Sequence, residues 1–508
     1  MVNSKIYIIG FILFLTLLYC DNVDKTIDVI TTNDIHGMLV SQKAEFFNPN
    51  FPPTIIGASG LNKYLNDFKI HYSLIFDGGN FFQGHPIGIV DSGKTVIEWM
   101  NRLGYNALVP GKDDFIFGYK NLINLSKKAS FPFLASNLVY NDSKKTVFDP
   151  YIIIEKDNIR VGVLGIIPAN LDEFVLGKNI ENLSVITEIK SLEKWVPIIK
   201  EENVDIIILL SSLGVPWDRE QIYNNFENKY LEVINDNEYK CNNSIELSYF
   251  TKDIEIIISG GENKGYNLPL YNGYTHSYVF QNYGNFTEFG HFKLNFDTKN
   301  KFLGYNSVVS NKIAQTLYID DFEYDEEVYE WISKKNDEAI KQVYDVLDFS
   351  DITGDSDGII YEDVEGKNFW DIPSYNQKDK NTIVTWNCEF FPAANDSTIL
   401  ALSEIVDDMN VDIIAFQEIR KIGWFDKLMK KLPAYDFVIS KQSSFMHHAI
   451  IFKKDIYKLQ NSMEIFAEND YNFAGRPPLR CDLINQINNI KISIINLHMK
   501  CCDSGLNR

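Results

Sequence analysis

The stretch Thr31-Thr32-Asn33-Asp34-Ile35-His36-Gly37 follows a short apolar run, Ile27 to Ile30. Read as the end of a β-strand, it sets Asp34 and His36 on one face, because successive side chains alternate and Ile35 points the other way. A carboxylate and an imidazole that close together suit a divalent metal. A two-metal phosphoester-hydrolysing centre holds its ions about 3.5–4 Å apart and takes roughly seven or eight ligands. Two residues alone do not make one.

The elements that must position them alternate along the chain. From Thr26 to about Phe296 the β-branched runs IDVITT, HYSLIFD, RVGVLGII, DIIILLSS and IEIIISGG are separated by longer helical or loop segments, the rhythm of an α/β or layered α+β domain. Asp320 to Leu347 sets Val328, Trp331, Ile332, Ala339 and Ile340 near helical spacing among charges, which predicts an amphipathic helix closing a first domain over residues 21–347. Residues 348–380, acidic and aromatic, read as a linker. A new α/β pattern runs from NTIVTWNCEFF through residues 381–508.

With 508 residues, 45% hydrophobic and 23% charged, the chain is globular and long enough for two or three cores. A formal charge of −21 disfavours a sequence-independent grip on nucleic acid, which stays open only for the second domain, and makes a small phosphoester the easier substrate; a chain with no substrate is the other partner expectation. Lys5 followed by the apolar stretch Ile6 to Leu18 is too short for an ordinary membrane span and fits a secretory signal over residues 1–20. Leu17-Leu18-Tyr19-Cys20 resembles a bacterial lipobox, which implies a membrane anchor through lipidated Cys20, with simple cleavage as the alternative. Cys241, Cys388, Cys481, Cys501 and Cys502 give no disulfide framework.

From TTNDIHG onward the motif order resembles the 5'-nucleotidase branch of the calcineurin-like metallophosphoesterases over residues 26–347. The segments are FDGGNFFQG, MNRLGYNALVPGKDDFIFG, FPFLASN, VGVLGIIP, LLSSLG and IEIIISGGEN. The resemblance implies an α/β fold, a four-layer α/β/β/α sandwich, with Asp34 and His36 as metal ligands. It also implies losses. Asn80 stands where the family's bridging Asp is, Gly111-Lys112-Asp113-Asp114 replaces Gly-Asn-His-Glu, Ser212 replaces a ligating His, and Gly261-Glu262-Asn263 replaces the final His motif. Two outcomes follow: the dimetal site is lost and the Lys112 ammonium pairs with Asp34 in its place, or Asp113, Asp114 and Glu262 rebuild a single-metal centre. His85, His276 and His291 are expected to be structural. The nucleobase-stacking domain of that family has no counterpart in the pattern.

TWNCEFF, DIIAFQEI, HHAIIFKKD and ISIINLHMK resemble the start of the endonuclease/exonuclease/phosphatase superfamily. That resemblance implies the N-terminal half of a second α/β/β/α sandwich. In it Glu418 would hold Mg²⁺ or Mn²⁺, Asn387 would orient the phosphate or a carboxylate, His498 would touch the phosphate and Arg480 would add positive charge. The superfamily's Gly-Asp-x-Asn and terminal Asp-His segments find no match up to Arg508, so the expected site lacks its general base. The combined expectation is an exported bacterial phosphoester hydrolase by descent, with a degraded first site and an incomplete second one. The alternative is a non-catalytic surface or binding lipoprotein that keeps the fold. The pattern leaves oligomeric state open.

Overall fold

A computed structural model describes residues 25–344, apart from 46, 49, 68–72 and 310, together with 374–375 and 380–499. The signal segment with Cys20, most of the linker, and Cys501 and Cys502 lie outside the described residues.

Two six-stranded sheets make the first domain. In one, strands Phe302–Ser307, Glu288–Phe296, Lys25–Thr32, Leu74–Asp77 and Ala107–Leu108 lie side by side in that order, with Ala314–Thr316 also pairing with Glu288–Phe296. In the other the order is Leu270–Asn272, Ser277–Phe280, Ile256–Ser259, Ile206–Ser211, Ile159–Ile166 and Tyr151–Lys156. The near-continuous apolar run of Ile206–Ser211 has a direct cause. Ile208 and Leu210 face the core shared with Val29, Phe292 and Leu294 of the first sheet, while Ile207 and Leu209 face Leu192, Val196 and Ile199 of the helix Glu188–Glu201. A strand buried on both faces cannot alternate polar with apolar.

Helices Ala58–Asp67 and Lys94–Leu103 bury Leu61, Tyr64, Val96 and Trp99 in the core of the first sheet, so the stack is helix, sheet, sheet, helix. Among the described residues the closing helix is Glu326–Tyr344, starting inside the amphipathic stretch, with Ile332 and Ala339 buried and the Arg102 guanidinium 4.2 Å above the Trp331 ring. The four-layer α/β/β/α arrangement is the one expected.

In the second domain, Ile383–Phe391 and Ile413–Ile419 pair in parallel across the helix Asn395–Met409, and His447–Lys453 and Tyr435–Ile439 continue the sheet antiparallel. Phe416 and Ile414 pack under this helix and Ile422–Lys431; Ile413 and Ala415 face a three-stranded sheet, Tyr457–Glu464, Leu479–Asn485 and Lys491–Asn496. The two domains do not stand apart. Leu176 of the first domain belongs to the second domain's core, the Lys421 ammonium pairs with Glu173 at 2.7 Å, and Gln83 Nε2 donates to the Lys441 and Ser443 carbonyls at 2.5 and 3.1 Å. Gly423 packs so closely on Asp172 that a Cβ there would lie 1.9 Å from its carbonyl oxygen.

Candidate functional site

The strand Lys25–Thr32 ends before the motif residues, so simple alternation does not bring Asp34 and His36 together. The backbone instead turns left-handed at both, φ 49° and 51°, where aspartate is better tolerated than most side chains. His36 Nδ1 lies 2.7 Å from the Gln83 carbonyl oxygen, which requires the proton on that nitrogen and turns Nε2 toward Asp34 Oδ1 at 3.9 Å.

Asp34 has little left to offer a metal. Its Oδ1 accepts from Asn80 Nδ2 at 2.8 Å and the Gly261 N–H at 3.0 Å; its Oδ2 accepts from the same N–H at 2.9 Å and from Asn33 Nδ2 at 2.9 Å. Asn80 uses both ends of its amide, since its Oδ1 accepts the Asp113 N–H at 3.0 Å. A carboxylate in place of Asn80 would repel Asp34 unless a cation lay between them; an amide donates to it and closes the network without one. Gly111 is fixed by the same packing, because a Cβ there would fall 2.0 Å from Asn80 Oδ1.

The expected ion pair between Lys112 and Asp34 does not form. Lys112 Nζ reaches the Gly261 carbonyl at 3.4 Å and lies 5.0 Å over the Phe174 ring, while neutral donors satisfy Asp34. Nor does the rebuilt trio of Asp113, Asp114 and Glu262 assemble. Asp114 is fully buried and accepts the N–H groups of Asn80 and Gly111, each at 2.8 Å, and burial pushes its carboxyl well above the usual range. It serves as an internal acceptor for the loop backbone. Ser212 donates to the Pro110 carbonyl at 2.9 Å. Among the described residues no group of three or more His, Cys, Asp and Glu side chains is placed to hold a metal ion. The donor set does not fit two metals.

His85 and His291 are tied into the interior, and His276 into a surface hydrogen bond. His291 bridges Tyr64 and Asp28, each at 2.7 Å; His276 bonds the Tyr271 hydroxyl at 2.6 Å; His85 caps the short helix Pro86–Ile89, and burial lowers its pKa to about 4.

A cavity of about 520 Å³ opens over Asp34, His36 and Asn80. Lys112, Asp113 and Glu262 line it from the first domain, and Arg420, Phe445 and His447 from the second. Sequence reasoning missed these second-domain residues, because nothing local to them signals contact with a loop more than 300 positions away.

The second constellation is partly gathered. Asn387 Nδ2 donates to Glu418 Oε1 at 3.1 Å, the Phe390 N–H donates to Oε2 at 3.2 Å, and His498 Nε2 lies 3.5 Å from Oε1. Glu418 adopts a left-handed φ of 62° at its strand end. Arg480 does not join them as expected. Its Nε is held by Asp482, two residues along the same face of its strand, at 2.9 Å. The guanidinium whose field reaches His498 is that of Arg476, in the same GRPPLR stretch; burial first and then this charge hold the imidazole below its usual pKa, against Glu418. Proline spacing distinguishes neither arginine in the sequence. One carboxylate with two filled oxygens does not define a Mg²⁺ or Mn²⁺ site by itself.

No family model matches the chain. It is 25% identical over 213 residues to a 2',3'-cyclic-nucleotide 2'-phosphodiesterase/3'-nucleotidase of Haemophilus influenzae, covering 38% of this chain and 32% of that protein. It is 28% identical over 200 residues to a 5'-nucleotidase of Bos taurus, covering 38% and 34%. The chain thus spans about a third of the length of these curated relatives. The crystal structure of a 5'-nucleotidase precursor from Thermus thermophilus superposes with a TM-score of 0.51 at 19% identity, over 63% of this chain and 60% of that one. Sequence similarity gives the chain a kinship with 5'-nucleotidases and nucleotide phosphoesterases, and the superposition shows a fold shared with a 5'-nucleotidase.

Proposed function

We propose that this protein is an exported phosphoester hydrolase by descent whose first-domain centre has exchanged two-metal catalysis for a hydrogen-bonded, metal-free site. The observation that carries this reading is the Asn80 amide, which donates to Asp34 Oδ1 at 2.8 Å in the place of a bridging carboxylate. Without ions about 3.5–4 Å apart, nothing there lowers the pKa of a water or neutralises the charge developing on a phosphoryl group. What remains is binding: a polar cavity of small-molecule size, closed on one side by a second domain.

The second domain is proposed to be of the endonuclease/exonuclease/phosphatase type. In it Asn387 holds Glu418 in place, and His498 Nε2, at 3.5 Å, stands where a proton can pass to or from a group bound beside Glu418. Export rests on the N-terminal stretch ending in Cys20, and among the described residues no helix is long and apolar enough to cross a membrane. The second reading, a binding lipoprotein without catalysis, is favoured by the way the second domain docks on the first through Gln83, Glu173 and Leu176 and narrows access to Asp34.

Elemental analysis of the full chain, with phosphomonoesterase and phosphodiesterase assays in Mn²⁺, Zn²⁺ and Mg²⁺, tests the proposal. The expected result is less than one metal per chain after dialysis and no metal-dependent turnover at the first site. Retention of one or more Mn, Zn or Fe ions, lost together with phosphatase activity in Asp34→Ala, would overturn it.

A further inference from the structure

The cavity between the domains holds charges that do not neutralise one another directly. Lys112 and Asp113 line it from the loop after Ala107–Leu108, Glu262 from the loop after Ile256–Ser259, and Arg420 from the end of Ile413–Ile419 in the second domain. Lys421 also lines it, but its ammonium is taken by Glu173; Asp34 lines it with both oxygens already accepting hydrogen bonds. Among the described residues none of Lys112, Asp113, Glu262 and Arg420 makes an ion pair within 4.0 Å. They nevertheless act on one another. After burial, which pushes the Glu262 carboxyl up, the strongest influences on it are the charges of Lys112, Asp34, Arg420 and Asp113.

Two cations and two carboxylates kept apart around one small cavity are complementary to a ligand that carries both signs. A simple anion would gain Lys112 and Arg420 but face Asp113 and Glu262, and a simple cation would meet the reverse. A molecule with an anionic head and an ammonium a few bonds away satisfies both sets at once, and the fixed charges need no reorganisation to receive it. The walls add Phe174, already under the Lys112 ammonium, and the exposed rings of Trp217 and Phe445, which suit an alkyl stem between the charged ends.

We propose that this inter-domain cavity is a metal-independent binding site for a small zwitterion, its anionic group held between Lys112 and Arg420 and its ammonium by Asp113 and Glu262. The proposal rests on the reading that no two-metal centre forms over Asp34. It makes the second domain half of the site, since Arg420 comes from there and Lys112 does not.

Calorimetric titration of the full chain in EDTA, with phosphoethanolamine and 4-aminobutyrate as probes, tests it. At least one is expected to bind, at least tenfold more tightly than inorganic phosphate, butyrate or ethanolamine, and the tighter of the two identifies the anionic head. Arg420→Met and Glu262→Gln are each expected to weaken binding at least tenfold with no change in melting temperature, Arg420 being exposed; Lys112→Met provides a second cation variant. Absence of binding by both probes, equal binding of a single-charge half, or indifference to all three substitutions would overturn the proposal. Such a failure in a chain that still retains no metal removes only the ligand; stoichiometric metal lost in Asp34→Ala removes the reading beneath it.

Discussion

The loop centre around Asp34 and the strand-end centre around Glu418 are built from similar groups, a carboxylate, an amide and an imidazole, in opposite settings. Asp34, His36 and Asn80 are 1%, 3% and 1% exposed, and the Asp34 oxygens are filled from three sides. Around Glu418, Asn387 is exposed, and the carboxylate and His498 side chains are 13% and 23% exposed. A buried carboxylate without a cation persists only when donors saturate it, so the first centre is rigid and hard to alter. Water can complete the second, so its side chains can change at small cost. Substitutions should therefore behave differently in the two places.

The largest expected effect is at Asn80. Asn80→Asp sets a second carboxylate against Asp34 and should cost about 3–5 kcal/mol in urea unfolding, the loss seen when a buried charge is left uncompensated. Recovery of that loss on adding Mn²⁺ would break the comparison, because it would show that one residue stands between the present centre and a metal site.

The second test is pH. Burial, opposed by hydrogen bonds from Thr32 and Gly79 and reinforced by the charge of Asp34, pushes Asp77 up to about 8. The folded chain keeps a proton there that the unfolded chain releases, so this contribution is complete below pH 3.8 and fades as pH rises through 8. Relative to Asp77→Asn, the wild type should lose about 2 kcal/mol between pH 6 and 8. His448 of the second domain runs the other way. Burial lowers it to about 4, so its contribution is present above pH 6.5 and is lost as pH falls through 4. Alkali should weaken the first domain and acid the second, and hydrogen exchange followed segment by segment reads them separately.

A smaller change is expected where the domains meet. The Lys421 and Glu173 side chains are 29% and 27% exposed, so Lys421→Met should reduce stability by about 1 kcal/mol or less and leave a single thermal transition, because Gln83 and Leu176 still hold the interface. Two separated transitions would show that this ion pair carries the docking. Smallest in stability is Glu418→Gln, expected within about 0.5 kcal/mol. It removes the one charge that raises His498, so NMR titration should find the imidazole pKa lower than in the wild type.

Much of this was legible residue by residue. The β-branched runs at Ile206–Ser211 and Ile256–Ser259 announced strands, and the spacing of Val328, Trp331, Ile332 and Ala339 announced the closing helix. Asn80 was recognisable as a neutral group in a carboxylate's position. Its consequence was not, because the hydrogen bond that replaces the metal joins residues 46 positions apart. The place of Arg480 was hidden for the same reason: the partner that occupies it, Asp482, is visible in the sequence as a neighbour but not as a contact.

The sequence by itself determined the alternation of strands and helices, since periodicity and residue type are properties of local segments; the layers and the loss of ligating side chains were what its resemblance to a family implied. Only the tertiary structure decided that Lys112 turns toward Gly261 and not to Asp34, that Asp114 faces the backbone of its own loop and of the loop carrying Asn80, and that the second domain supplies Arg420 and His447 to the cavity of the first. Those outcomes depend on competition among hydrogen-bond donors and on packing between surfaces such as Gly423 and Asp172, about 250 positions apart, and neither leaves a mark on the residues nearby in the chain.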